Sequence, residues 1–191
     1  MRKLLGILAI VVVTCLCAFT PASADDESDR SIKEYQVKAA FLYNFIKFVT
    51  WPGDHALEQT HAANICIVGS NPFGKALNVF RAASSAQLAL NVKLNVPDSA
   101  IPSCHILFIS RSEEDRAASL LALANSHPLL TVSEIKGFAD NGGIIEMVKT
   151  EQSIGLFSKD KINLRINLRR AEAEGLRIDA QLLEIAAEVI K

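Results

Sequence analysis

The sequence predicts a single α/β domain with a mostly parallel central sheet, helices on both faces and antiparallel strands at one edge. Three observations predict it. Short apolar runs of strand character alternate with helix-forming segments through the middle of the chain, the pattern of βαβ units. One run, CHILFIS at 104–110, is almost continuously apolar, as in a strand covered on both faces. The length, 191 residues without an internal repeat, favours one domain.

The first residues read as an export signal rather than as fold. Arg2 and Lys3 form a basic start, residues 4–19 are apolar, and Ala22, Ser23 and Ala24 make an A-x-A site. The apolar run is shorter than the roughly 20 residues of a spanning helix. The expectation is a signal peptide over residues 1–24, cleaved after Ala24, with delivery to the periplasm. Cleavage leaves 18 basic residues against 21 acidic, a net charge of −3. No basic excess points to nucleic acid. Two cysteines remain, Cys66 and Cys104. In an oxidising compartment they are a candidate disulfide, and two buried free thiols fit the sequence equally well.

Residues 25–30, DDESDR, read as a solvated, flexible leader, and the domain as residues 31–191. Ser31 and Glu34 have capping-box spacing for a helix running to about residue 51, where Pro52 and Gly53 stop it. A loop follows over 53–63, then a buried strand at 64–69. Residues 71–81 read as a turn feeding a helix. Residues 88–96 alternate with period two, a half-exposed strand. Strand 104–110 comes next, then a helix over 113–124 capped by Ser112, with acids in its first turn. A fourth strand covers 128–133. Residues 142–148 and 153–158 read as a hairpin turning at 149–152, extended by 161–168. Two helices, 167–174 and 179–190, close the chain, with Gly175 between them.

The first helix is unusually apolar. At 100° per residue, Val37, Phe41, Leu42, Phe45, Ile46, Phe48 and Val49 cover about half its surface. Asn44 and Lys47 interrupt the run, so it is not a membrane span. The arc packs in the core or at a seam with another subunit. On the other side Tyr43, Lys47 and Trp51, spaced by four, form a ridge suited to a partner, because Tyr and Trp are enriched at interfaces.

No catalytic constellation stands out. GSNPFGKA at 69–76 is one residue short of a P-loop: Ala76 stands where a Ser or Thr must hold magnesium. Pro72 also removes a backbone N–H from the loop. His55, His61, His105 and His127 lack metal-ligand spacing. There is no G-x-S-x-G and no C-x-x-C. No cofactor is implied. A small-molecule pocket would lie at the carboxyl ends of the parallel strands, near Asn71, Phe73, Ser110 and Glu113, with Arg165 and Asn167 as further polar lining.

Five pieces in order carry a resemblance: KAAFLYNFIKFVTWP, ICIVGSNPFG, CHILFIS, LLTVSEIKGFADNGGIIEMV and INLRRAEAEGLRIDAQLLEIA. Together they resemble the YfiR-like family of exported bacterial proteins, over about residues 33–190. The resemblance implies a compact periplasmic α/β domain, often a homodimer, without enzymatic activity. It implies a repressor that binds the periplasmic domain of an inner-membrane diguanylate cyclase, lowering cyclic di-GMP and biofilm formation. It also implies an outer-membrane peptidoglycan-binding lipoprotein that sequesters the repressor. Cys66 and Cys104 fall at family cysteine positions, which implies their pairing. The second cysteine pair of characterised repressors is missing, since no cysteine follows Cys104. A periplasmic small-molecule sensor or solute-binding module working with a membrane signalling protein is the alternative function.

Overall fold

The computed structural model describes residues 24–154 and 157–191. The export signal expected over residues 1–24 lies outside them but for Ala24. Helix α1 (Ala24–Phe48) opens the fold, followed by β1 (Val49–Thr50). A 3-10 turn (Gly53–His55) and the one-turn helix α2 (Leu57–Thr60) lead to β2 (Ala62–Val68). A second 3-10 turn (Gly74–Leu77) runs into α3 (Asn78–Ala83), and β3 (Ala89–Leu94) follows. Then come β4 (Ile106–Ile109), a 3-10 segment (Arg111–Arg116), α4 (Ala117–Ala124) and β5 (Leu130–Ser133). The long strands β6 (Ile145–Ile154) and β7 (Phe157–Asn167) are joined as a hairpin. The chain ends with α5 (Leu168–Ala173), β8 (Arg177–Ile178), α6 (Ala180–Glu184) and β9 (Glu188–Ile190).

Seven strands form one sheet in the order β3-β2-β4-β5-β6-β7-β9. The neighbours from β3 to β6 are parallel, β7 is antiparallel to β6, and β9 is parallel to β7. This is the expected mostly parallel sheet with an antiparallel edge. Side-chain alternation divides the core into two layers. Ile65, Ile67, Ile106, Phe108, Leu130 and Val132 face α1, α3, α5 and α6. Cys66, Val68, Leu107 and Ile109 face α4 and Phe138. Helices therefore cover both faces, which is why the central strands read as unbroken apolar runs.

Several boundaries differ from expectation. Residues 25–30 lie within the helical backbone of α1, and Ser31 lies inside the helix rather than capping it. Residues 28–30 are exposed, as their charge suggests. The helix stops at Phe48, not at about residue 51. Val49 and Thr50 are β-branched and extended, and they pair with β8. Pro52 holds the residue before it in the extended region as well. Ser112 is no cap: Ser110 takes the N-cap position, and a 3-10 segment precedes α4. Polar residues 149–152 are exposed positions inside β6, and the chain reverses between the register partners Ile154 and Phe157. The last expected helix is short, because Glu188–Ile190 instead pair with β7.

Candidate functional site

Strand order reverses between β2 and β4, since the chain crosses from β2 to β3 on one side and returns to β4 on the other. In open α/β sheets the crevice at the carboxyl ends of such strands is the usual ligand site. Here it is filled by the protein's own groups. The Phe73 ring sits 4.7 Å from that of Phe108 on β4 and 5.6 Å from that of Tyr35 on α1, edge to face. Asn71 Oδ1 accepts from the Phe73 N–H at 3.0 Å, which turns Phe73 inward. The Ser70 N–H donates to Ser112 Oγ at 2.9 Å, fastening the loop after β2 to the loop after β4. Gly69, at φ +86°, makes that approach possible: a Cβ there would lie 2.5 Å from Ser112 Oγ. Ser110 is buried and donates its N–H to Val68 O at 3.0 Å. Glu113 is held by Arg116, whose Nη1 donates to Oε2 at 2.8 Å.

Asn71, Phe73, Ser110 and Glu113 thus lie together at the crevice, as a plug rather than a pocket. Arg165 and Asn167 are not with them. Arg165, on β7, donates to Asp140 Oδ2 at 2.8 Å, Glu146 Oε2 at 2.9 Å and Glu188 Oε2 at 2.6 Å. These bonds tie the 134–143 loop and β9 to the sheet. The hydrogen bonds to Arg165 hold the Asp140 carboxyl below the usual carboxylate range. Asn167 caps α5: its Oδ1 accepts from the Arg170 N–H, while its Nδ2 donates to Ala139 O, both at 2.9 Å. Their polar ends are consumed in fastening the structure, which corrects their assignment to a pocket.

On the outer side of Phe73 a groove of about 390 Å³ opens between α1 and residues 72–76. Ile32, Tyr35 and Gln36 form one wall, and Pro72, Phe73 and Lys75 the other. Beneath Tyr35 lies a buried charge cluster that the helical pattern conceals. Lys38 is 1% exposed and forms ion pairs with Glu34 and with Glu134, just past β5. The Tyr35 hydroxyl donates to Glu134 Oε1 at 3.1 Å. Lys149 on β6 bridges Glu34 Oε2 at 2.9 Å and Asp160 Oδ2 at 3.1 Å. Burial opposes ionisation of Glu34, but the hydrogen bonds from Lys38 and Lys149 outweigh it and lower its pKa. Burial, with the Glu134 carboxylate beside it, pushes the Tyr35 phenol up, so it stays a donor. A signal for the cluster was present: Lys38 lies on the same helical stripe as Leu42 and Phe45, and Glu34 stands four residues before it.

The predicted ridge on α1 is shorter than expected. Lys47 is exposed, and its Nζ lies 4.4 Å from the Tyr43 ring centroid. Tyr43 is half-buried against Phe80. Trp51 does not join them. It is 2% exposed, and its Nε1 donates to His105 O at 3.1 Å. Spacing by four places residues on one ridge only while the helix continues, and α1 has ended three residues earlier. Of the apolar arc, Leu42, Phe45, Ile46 and Val49 are in the core, Phe41 and Phe48 are partly buried, and Val37 is 46% exposed.

Cys66 on β2 and Cys104 before β4 form a disulfide, with Cα atoms 5.9 Å apart. Both are fully buried in the layer facing α4. Among the described residues no three His, Cys, Asp or Glu side chains are grouped to hold a metal, and no helix is long and apolar enough to cross a membrane.

These features define a disulfide-linked α/β domain whose switch-point crevice is closed by its own side chains. The chain belongs to the YfiR/HmsC-like family, DUF4154, whose model matches residues 35–187. The family is periplasmic and regulatory rather than catalytic. Solved structures share the fold. A conserved domain protein from Vibrio cholerae O1 biovar eltor superposes with a TM-score of 0.50 at 11% identity, over 81% of this chain and 60% of that one. The ABC domain in complex with L-Trp from Streptococcus pneumonia gives 0.50 at 12% identity, over 82% and 60%. At such identities the likeness is one of fold alone, and the chain spans 60% of the length of these two. No curated protein matches the chain.

Proposed function

We propose that this protein is a periplasmic repressor that binds the periplasmic domain of an inner-membrane diguanylate cyclase and so lowers cyclic di-GMP and biofilm formation. The carrying observation is the plugged crevice at the switch point. A protein that fills its switch-point crevice with Phe73 and a Ser70–Ser112 clasp is suited to contact through its surface. The exposed Lys47 over the half-buried Tyr43 ring on α1 supplies a cationic and aromatic contact point of the kind enriched at interfaces. An outer-membrane peptidoglycan-binding lipoprotein fits the same scheme as the sequestering partner, and a homodimer as the working assembly.

The test is cellular cyclic di-GMP in a strain lacking the gene, with and without the gene restored. A rise on deletion that restoration reverses supports repression. Unchanged levels in a strain that expresses the protein would sink it. Lys47→Glu tests the contact point: stability should change by less than about 1 kcal/mol, as for an exposed charge, while capture of the cyclase periplasmic domain falls. Undiminished capture removes α1 from the interface.

A second reading, a small-molecule sensor, is favoured by the groove between Tyr35 and Phe73. Its volume of about 390 Å³ is within the range of ligand sites. A metabolite that raises the melting temperature of the wild type, but not of Ile32→Glu, would support it.

A further inference from the structure

His105, between Cys104 and β4, is 3% exposed. Its Nδ1 accepts from the Asn64 N–H at 3.1 Å. A neutral imidazole bonded in this way carries its proton on Nε2. That Nε2 has no partner, and neither does the buried Nδ1 of His55, whose ring lies 5.7 Å away from centroid to centroid. The Trp51 ring stands edge-on to His105 at 5.8 Å, and its indole N–H donates to the His105 carbonyl. His105 is therefore the point where the chain leaving α1 docks onto the sheet.

A second proton on His105 finds no acceptor at Nδ1. It would have to sit on Nδ1, where the Asn64 N–H already points, so two donors would face each other. The titratable groups that face the ring are His55, from the 53–55 turn, and Lys93, from β3, and neither supplies a negative charge. Asn64 and Trp51 bring none. A metal on Nε2 is disfavoured for the same reason, since it too would require the proton on Nδ1. Burial lowers the His105 pKa to about 4 from an ordinary 6.5; the His55 imidazole and Lys93 add to it, and the His55 backbone opposes it only in part.

We propose that His105 and His55 form an acid-sensitive latch: proton uptake at His105 breaks its bond to Asn64 and releases Trp51 and the segment after α1 from the sheet. The sign follows from linkage. The open form takes the proton more readily than the closed one. The latch is fully closed above the ordinary histidine pKa, and loses strength as the pH falls toward about 4.

Trp51 is the only tryptophan in the chain, so its fluorescence reports the latch directly. In the full folded domain, acidification from about pH 7 to about pH 3 should quench and red-shift the emission in a step that precedes loss of far-UV circular dichroism. His105→Gln should abolish the step. His55→Gln, which removes the imidazole that opposes a charge on His105, should move its midpoint to higher pH. Flat emission across the range, or an unchanged step in His105→Gln, overturns the latch. Should His105→Gln not fold, the imidazole NMR titration of the wild type decides. A His105 midpoint well below 6.5 that coincides with the Trp51 step supports the latch, and a midpoint at 6.5 or above overturns it.

Discussion

Replacing both Cys66 and Cys104 by alanine should cost this domain about 4 kcal/mol. The disulfide spans 38 residues of sequence, from β2 across α3 and β3 to the start of β4. Closing a loop of that length removes about 13 cal/mol/K of entropy from the unfolded chain, or about 4 kcal/mol at 25 °C. The folded side offers little to offset the loss. Residues 65–68 and 106–109 are already aligned by parallel pairing of β2 with β4, so the native backbone needs no cross-link to hold its shape. For a domain of this size the loss lowers the melting temperature by about 8 to 16 °C. Against a typical stability of about 5 to 15 kcal/mol, the reduced protein is folded but marginal. The assay is urea unfolding of the wild type, oxidised and reduced, beside the double alanine variant. Reduction and substitution should agree within about 1 kcal/mol, because both act mainly on the unfolded chain. A loss below about 1 kcal/mol, or a reduced wild type as stable as the oxidised form, would refute the reasoning.

Two further predictions concern the groups around the crevice. Lys38→Met leaves Glu34 and Glu134 without their shared cation and should cost about 3 to 5 kcal/mol in urea unfolding, whereas a loss under about 1 kcal/mol would mean that solvent reaches the cluster. Phe73→Ala removes the plug between Tyr35 and Phe108 and should cost about 3 to 5 kcal/mol, with new binding of a small aromatic such as indole as the sign of a cavity; retained stability without such binding would show that the two loops close over the gap.

The fold was legible wherever a side chain's burial and its local pattern agree. Ile65 to Val68 and Ile106 to Ile109 are apolar because they are covered on both faces, and the alternation of such runs with helices is enough to place a parallel sheet. Legibility failed where a local signal had two meanings. Residues 149–152 are polar because they line an exposed ribbon, and a turn has the same composition. Glu188 to Ile190 form a strand only because β7 offers an edge three residues long. Trp51 has the spacing of a helical ridge, but spacing carries no record of where the helix stops. The candidate site divides in the same way. Phe73, Asn71, Ser110 and Glu113 are adjacent because strand order dictates it, whereas Arg165 finds three carboxylates from distant segments that no local pattern announces.

The β6–β7 hairpin has a mechanical consequence. Ten residue pairs join its two strands, yet β5 grips only two residues at one end of β6, and β9 only three of β7. The rest is an outrigger along which, among the described residues, no further strand pairs. Lys149 is the strut that braces it, bonded at once to Glu34 on α1 and to Asp160 on the opposite strand. A twist applied to the outrigger therefore loads α1 through that ammonium group as well as through the packed core, and from there reaches the buried Lys38 and Glu134.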